Sequence, residues 1–142
     1  MRIGQWDFPD DLAYDTHHQW VRREGDSWTV GTTHYSADTA GDVLYVELPE
    51  VGMRLKAGEP CGSIESGKWV GKLYAPADGV VTAVNGALAE DPRAVNRDPY
   101  GAGWLFTFRA EGPGELLEAA AFRRWLDAEL ARDPLGRAAA EG

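Results

Sequence analysis

Cys61-Gly-Ser-Ile-Glu-Ser-Gly67-Lys68-Trp69-Val-Gly-Lys72-Leu-Tyr74-Ala-Pro76 is the stretch on which the fold turns. Two β-prone runs, residues 62–66 and 69–74, are separated by Gly67-Lys68 alone. Strands joined through two residues form a tight hairpin, and a glycine placed first in the turn suits a positive φ. Lys68 then stands at the tip with its four-carbon stem in water. Nothing in the stretch desolvates that amine, so it is a poor general base. It is well placed for another protein to reach and modify. A charged residue at a turn is also, more simply, a solvated turn, and the rest of the chain has to separate the two readings.

Working outward, the pattern is one of short strands punctuated by Gly and Pro. Residues 17–22 and 28–32 flank a turn at Gly25-Asp26, residues 36–40 allow one helical turn, and 42–48 read as a strand stopped by Pro49. Residues 79–84 are another strand, 85–99 a loop rich in Asn, Asp and Pro, and 104–108 a last strand. Leu44-Tyr45 and Leu73-Tyr74 form a faint internal echo. Many short strands of this kind predict a small, mainly β sandwich or barrel. After Pro113, Leu116, Leu117, Ala120, Ala121, Trp125, Leu126 and Leu130 approach helical spacing. The spacing predicts an amphipathic helix over 115–130, packed through Leu116, Leu117, Ala120 and Leu126. The expected organisation is an irregular lead-in over 1–11, one domain over 12–131, and a disordered tail over 132–142.

The chain has 142 residues and a net charge of −9. That length suits one domain with a modest core. The acidity argues against nucleic acid, which needs clustered Lys and Arg, and favours basic protein partners. One cysteine, Cys61, allows no intramolecular disulfide and suits a reducing cytosol. In mid-strand it reads as a small buried hydrophobe. With no basic-then-apolar leader and no long apolar run, the chain reads as a cytoplasmic protein without a membrane span. His17, His18 and His34 are the only histidines. Neighbouring His17 and His18 face opposite ways on a strand, which disfavours a shared metal. No phosphate loop and no catalytic triad or dyad can be assembled, so the chain is poor in catalytic machinery.

Glu65-Ser66-Gly67-Lys68, followed by Leu73-Tyr74-Ala75-Pro76, resembles the lipoyl-lysine region of the glycine cleavage H-protein family. So do His18-Gln19-Trp20-Val21, Val30-Gly31-Thr32-Thr33, Gly41-Asp42, the run Val46 to Gly52, Val84-Asn85, Pro99-Tyr100 and Gly103-Trp104. The resemblance implies a lipoyl-type barrel-sandwich hybrid with a C-terminal helix, and a non-catalytic carrier. It implies lipoic acid in amide linkage to Lys68, flanked by Glu65, Ser66, Gly67 and Trp69, and working as a swinging arm. Biotin carriers share the architecture but flank the lysine with methionines, which Gly67 and Trp69 do not match.

The departures bear on the cargo. The resemblance implies that acidic and hydroxyl groups hold an aminomethyl cargo, and their positions here carry His17, Gln19 and Lys72. With His34 these form the expected cargo environment. A protonated amine needs a carboxylate; Gln19 is neutral and Lys72 repels it. On this reading, Gln19→Glu with Lys72→Asp restores an amine site. The pattern is similar to the lipoate-binding branch of the heterodisulfide-reductase-like sulfur oxidation system, where the arm carries sulfur or electrons. That reading leads, with a glycine cleavage H protein second and an unlipoylated interaction module third. Implied partners are lipoate ligase or lipoyl synthesis enzymes, dihydrolipoamide dehydrogenase, and the heterodisulfide-reductase-like complex. The alternative partners are glycine decarboxylase and aminomethyltransferase.

Overall fold

A computed structural model of the chain describes residues 1–132. The strands are β1 (Arg2–Ile3), β2 (Trp6–Asp7), β3 (Ala13–Tyr14), β4 (Gln19–Glu24), β5 (Ser27–Thr32), β6 (Val43–Glu47), β7 (Arg54–Leu55), β8 (Pro60–Ser66), β9 (Val70–Tyr74), β10 (Gly79–Val84), β11 (Phe106–Ala110) and β12 (Leu117–Glu118). The helices are α1 (His34–Ala40), α2 (Ala94–Arg97) and α3 (Ala119–Arg132). One sheet runs β12-β3-β4-β5-β11-β10-β7 and a second runs β6-β8-β9. The mainly β barrel-sandwich architecture with a C-terminal helix is thus the one the sequence leads to.

Between the sheets lies a core that includes Val21, Val30, Ile64, Leu73, Phe106 and Phe108, all buried. Each such side chain contributes about 1.5–3 kcal/mol by leaving water. Cys61 belongs to this core, and burial pushes its thiol up to about 12. A second core forms on the outer side of β3 and β4. There Phe8, Tyr14 and Phe122 pack together, with Tyr14 and Phe122 stacked at 4.6 Å between ring centroids. Trp20 is fully buried in the same cluster and its indole N–H donates to the Pro99 carbonyl at 2.9 Å.

Several expectations need correction. Residues 1–11 are not irregular: β1 and β2 pair as a hairpin, and Ile3 and Phe8 are buried in the second core. The helix does not begin at 115. Leu117 and Glu118 pair with Tyr14 and Ala13 as an edge strand, so α3 starts at Ala119. Its buried face is Ala119, Phe122 and Leu126, while Ala120 points to solvent. Within 85–99 the chain forms a 3-10 turn at Gly86–Ala89 and α2. The Leu-Tyr echo has no structural counterpart: Leu44 is 59% exposed and Leu73 is buried. Arg132 ends α3, and the rest of the expected tail lies outside the described residues. No described helix is long and apolar enough to cross a membrane.

Candidate functional site

The tip of the β8–β9 hairpin carries Lys68. Ser66 braces it: its backbone N–H donates to the Trp69 carbonyl at 2.8 Å, and its Oγ accepts from the Lys68 N–H at 3.4 Å. Lys68 is exposed, and its amine makes no hydrogen bond or ion pair with any described residue. Gly67 does not supply the positive φ expected of it, since the glycines with positive φ lie elsewhere. A Cβ on Gly67 would meet nothing within 4 Å.

The Lys68 stem rests on Gly41 instead. Gly41 caps α1 with φ 81°, and a Cβ there would lie 3.1 Å from Lys68 Cε. The positive φ calls for glycine at this place, and its bare Cα also leaves the lysine stem room. Asn96 of α2 holds the corner from below. Its Nδ2 donates to the carbonyls of Ala37 and Gly41 at 3.1 and 2.9 Å, and its Oδ1 accepts from the Val43 N–H at 2.8 Å. Sequence reading left Asn96 inside a polar loop; only the tertiary fold brings it under the lysine.

Beside the hairpin, a cleft of about 150 Å³ opens between β9, the β3–β4 turn and α3. It is lined by His17, Gln19, Lys72 and Trp69, three of the four expected cargo residues together with one flank of the lysine. His34 is not among them. Its Nδ1 accepts from the Asp7 N–H at 3.0 Å and its own N–H donates to the Tyr100 hydroxyl at 2.9 Å, so it ties β2 to α1 away from the cleft. Thr32, His18 and Glu129 also line the cleft and were not expected there. No local pattern in the sequence could have placed Glu129, which arrives from α3.

Gln19 lies against this cleft, but its amide is committed inward. Nε2 donates to the Tyr74 carbonyl and to Asp15 Oδ2, both at 2.8 Å, while Oε1 accepts from the Tyr74 N–H at 2.8 Å. It therefore pins β4 of one sheet to β9 of the other. Asp15 is 4% exposed and also accepts the N–H groups of His17 and Gln19 at 2.9 Å. Burial raises its carboxyl above the usual range, and these hydrogen bonds oppose the rise. The glutamine is thus a cross-brace between the sheets, with its amide turned inward and an acid among its partners.

Trp69 folds back along the hairpin. A Cβ on Gly71 would collide with the indole, so the missing side chain at 71 makes the room that Trp69 fills. His17 stacks on Tyr74 at 3.9 Å between centroids, and His18 lies against Tyr35 and Trp125. His18 holds φ 63° and is nearly buried, and desolvation lowers its imidazole to about 4.

The family model described as Glycine cleavage H-protein matches residues 12–126. The chain is similar to the Glycine cleavage system H protein of Rubrobacter xylanophilus, 49% identical over 123 residues, covering 87% of this chain and 98% of the relative. It is 51% identical over 114 residues to the protein of the same name from Beutenbergia cavernae, covering 80% of this chain and 92% of that one. Among solved structures, a glycine cleavage system H protein from Mycobacterium marinum superposes with a TM-score of 0.81 at 39% identity, covering 84% of this chain and 99% of the other.

Proposed function

The chain belongs to the glycine cleavage H-protein family, whose members are non-catalytic lipoyl carriers, and from that premise we propose that it serves a glycine cleavage system with its lipoyl group in amide linkage to Lys68. The observation that carries the assignment of Lys68 is geometric. It is an exposed, unpaired amine at the tip of a rigid two-strand hairpin, with its stem steadied on Gly41. The fit is good, because an acyl group added to this amine breaks no existing contact. When bound, the lipoyl group supplies a dithiolane that accepts a transferred aminomethyl group and returns as a dithiol. The chain's own contribution is to hold the root of the arm and to offer a cleft beside it.

The sulfur-oxidation reading, first in the sequence, yields to the glycine reading. It rested on Gln19 and Lys72 as lost carboxylate positions, whereas the family match over residues 12–126 supports the glycine reading. The relatives named above all carry the glycine cleavage name. The proposed partners are accordingly lipoate ligase, glycine decarboxylase, aminomethyltransferase and dihydrolipoamide dehydrogenase.

Intact-mass analysis after incubation with lipoate ligase, ATP and lipoate tests the attachment site. One lipoyl amide is expected on the wild type and none on Lys68→Arg. Modification elsewhere overturns the assignment. Reconstitution with glycine decarboxylase and aminomethyltransferase tests the pathway: glycine-dependent release of CO2 supports it. A lipoylated protein inert with competent partners overturns it in favour of a sulfur or electron cargo.

A further inference from the structure

Three buried side-chain polar atoms among the described residues have no hydrogen-bond partner: His18 Nδ1, Thr32 Oγ1 and Trp69 Nε1. All three residues line the cleft between β9, the β3–β4 turn and α3. Buried polar atoms are ordinarily paired, so three orphans around one cavity mark a place whose partner comes from outside the chain. The cleft measures about 150 Å³. At ~30 Å³ for each water-sized unit, that is room for about five heavy atoms.

The free groups are donors. Trp69 Nε1 can only donate, the Thr32 hydroxyl can donate or accept, and Lys72 Nζ offers three donors. Lys72 makes no hydrogen bond or ion pair with any described residue. The charged and amide acceptors are committed: Glu129 is paired with Arg132, and Gln19 Oε1 accepts from the Tyr74 N–H. His17 and His18 complete the titratable lining, and desolvation keeps His18 neutral near pH 7. Water can meet each free donor singly. A planar carboxylate-type head, with about four lone-pair sites on two oxygens, meets several at once and gains from the lysine charge. The net charge of −9 and the nearby Glu129 disfavour a second negative charge on the ligand. An ammonium group finds no uncommitted carboxylate.

We propose that the cleft is a binding site for a small free monoanion with a planar carboxylate-type head, either bicarbonate or a short organic acid, held by Trp69, Thr32 and Lys72. Size, sign and the surplus of donors all point to the same class of ligand. The unmodified full-length chain carries every group involved, so the outcome does not depend on what Lys68 bears.

The test follows the indole N–H signals of the six tryptophans by NMR in that chain, with the Trp69 signal identified by its absence in Trp69→Phe. Formate, acetate, bicarbonate, glycine and sulfate are titrated separately at constant ionic strength. The expected result is a saturable shift of the Trp69 signal by formate, acetate or bicarbonate, with a dissociation constant on the order of 1–10 mM. Lys72→Gln should weaken binding about fivefold, the size of one unit-charge attraction at ~4 Å in water-like surroundings. Thr32→Val should weaken it about two- to tenfold. That variant gives up no hydrogen bond within the folded chain, since the Thr32 hydroxyl has no partner there. Glycine, whose ammonium group finds no acid, and divalent sulfate should bind more weakly than acetate. Tighter binding of bicarbonate than of acetate identifies hydrated CO2 as the source of the anion, and the reverse order an organic acid. No saturable shift at Trp69, affinities unchanged in Lys72→Gln and Thr32→Val, or glycine or sulfate binding as tightly as acetate overturns the proposal.

Discussion

Replacing Gln19 by glutamate removes both N–H donors that hold Asp15 Oδ2 and the Tyr74 carbonyl. It also sets a second carboxylate where the amide now lies 2.8 Å from Asp15. Two carboxylates that close cannot both ionise, so the pair's folded pKa rises above its unfolded value. Stability tied to the shared proton is present at low pH and lost as pH rises through that raised pKa. Gln19→Glu should therefore destabilise by about 1–3 kcal/mol at pH 8 and by less at pH 5, read from urea midpoints at the two pH values. A glutamate that leaves stability intact at pH 8 would show that the brace is dispensable. His18 behaves in the opposite sense. Its folded pKa near 4 lies below the ordinary 6.5, so the unfolded chain takes up a proton first as pH falls. Stability should drop between pH 6.5 and 4, by up to about 3 kcal/mol. His18→Asn keeps access to the left-handed backbone and removes the titration, so its stability should lose that slope. An identical slope in both proteins would place the cause elsewhere.

Around the β8–β9 hairpin, three glycines near Lys68 stand under different constraints. Gly41 is fixed by φ 81° and by the lysine stem above it, Gly71 by the indole of Trp69, and Gly67 by neither. Gly67→Ala should be neutral or stabilising by about 0.4–1 kcal/mol, because the unfolded chain loses freedom while the fold meets no clash. Gly71→Ala should expel the indole and cost more than Trp69→Ala does. The double variant should recover part of that cost, giving a coupling of about 0.5–3 kcal/mol in a double-mutant cycle; additive costs would mean that the two positions do not share the space. The hairpin, the Lys68 tip and the longer strands were legible because alternation and two-residue turns are local signals. The start of α3 was not, because Leu117 meets the helical spacing equally well and is claimed by pairing with Tyr14. The β1–β2 hairpin was hidden for a related reason: its strands are two residues each, and burial of Ile3 and Phe8 depends on α3. In the cleft, three of the four cargo residues implied by the resemblance, His17, Gln19 and Lys72, do come together while His34 does not, and Gln19's role was hidden because nothing in the sequence joins it to Tyr74.

Across the whole molecule, the two cores divide the labour. The core between the sheets supports the hairpin that presents Lys68, through Ile64 and Leu73. The outer core, joining β1–β2, β3 and α3, supports the far wall of the cleft, where Trp125 packs on His18 and α3 delivers Glu129. Phe122 is the natural place to separate them, being fully buried and in ring contact with Phe8, Tyr14 and Trp125. Phe122→Ala should cost about 3–5 kcal/mol, the usual range for emptying a buried aromatic site. If the division holds, the loss is local. Hydrogen exchange should quicken in β1, β2, β12 and α3, while β8 and β9 keep their protection. The folded fraction should still accept a lipoyl group on Lys68, because the hairpin packs on the other core, through Ile64 and Leu73. Uniform loss of protection, or loss of lipoylation in protein that remains folded, would show one cooperative unit in which the two cores cannot be separated.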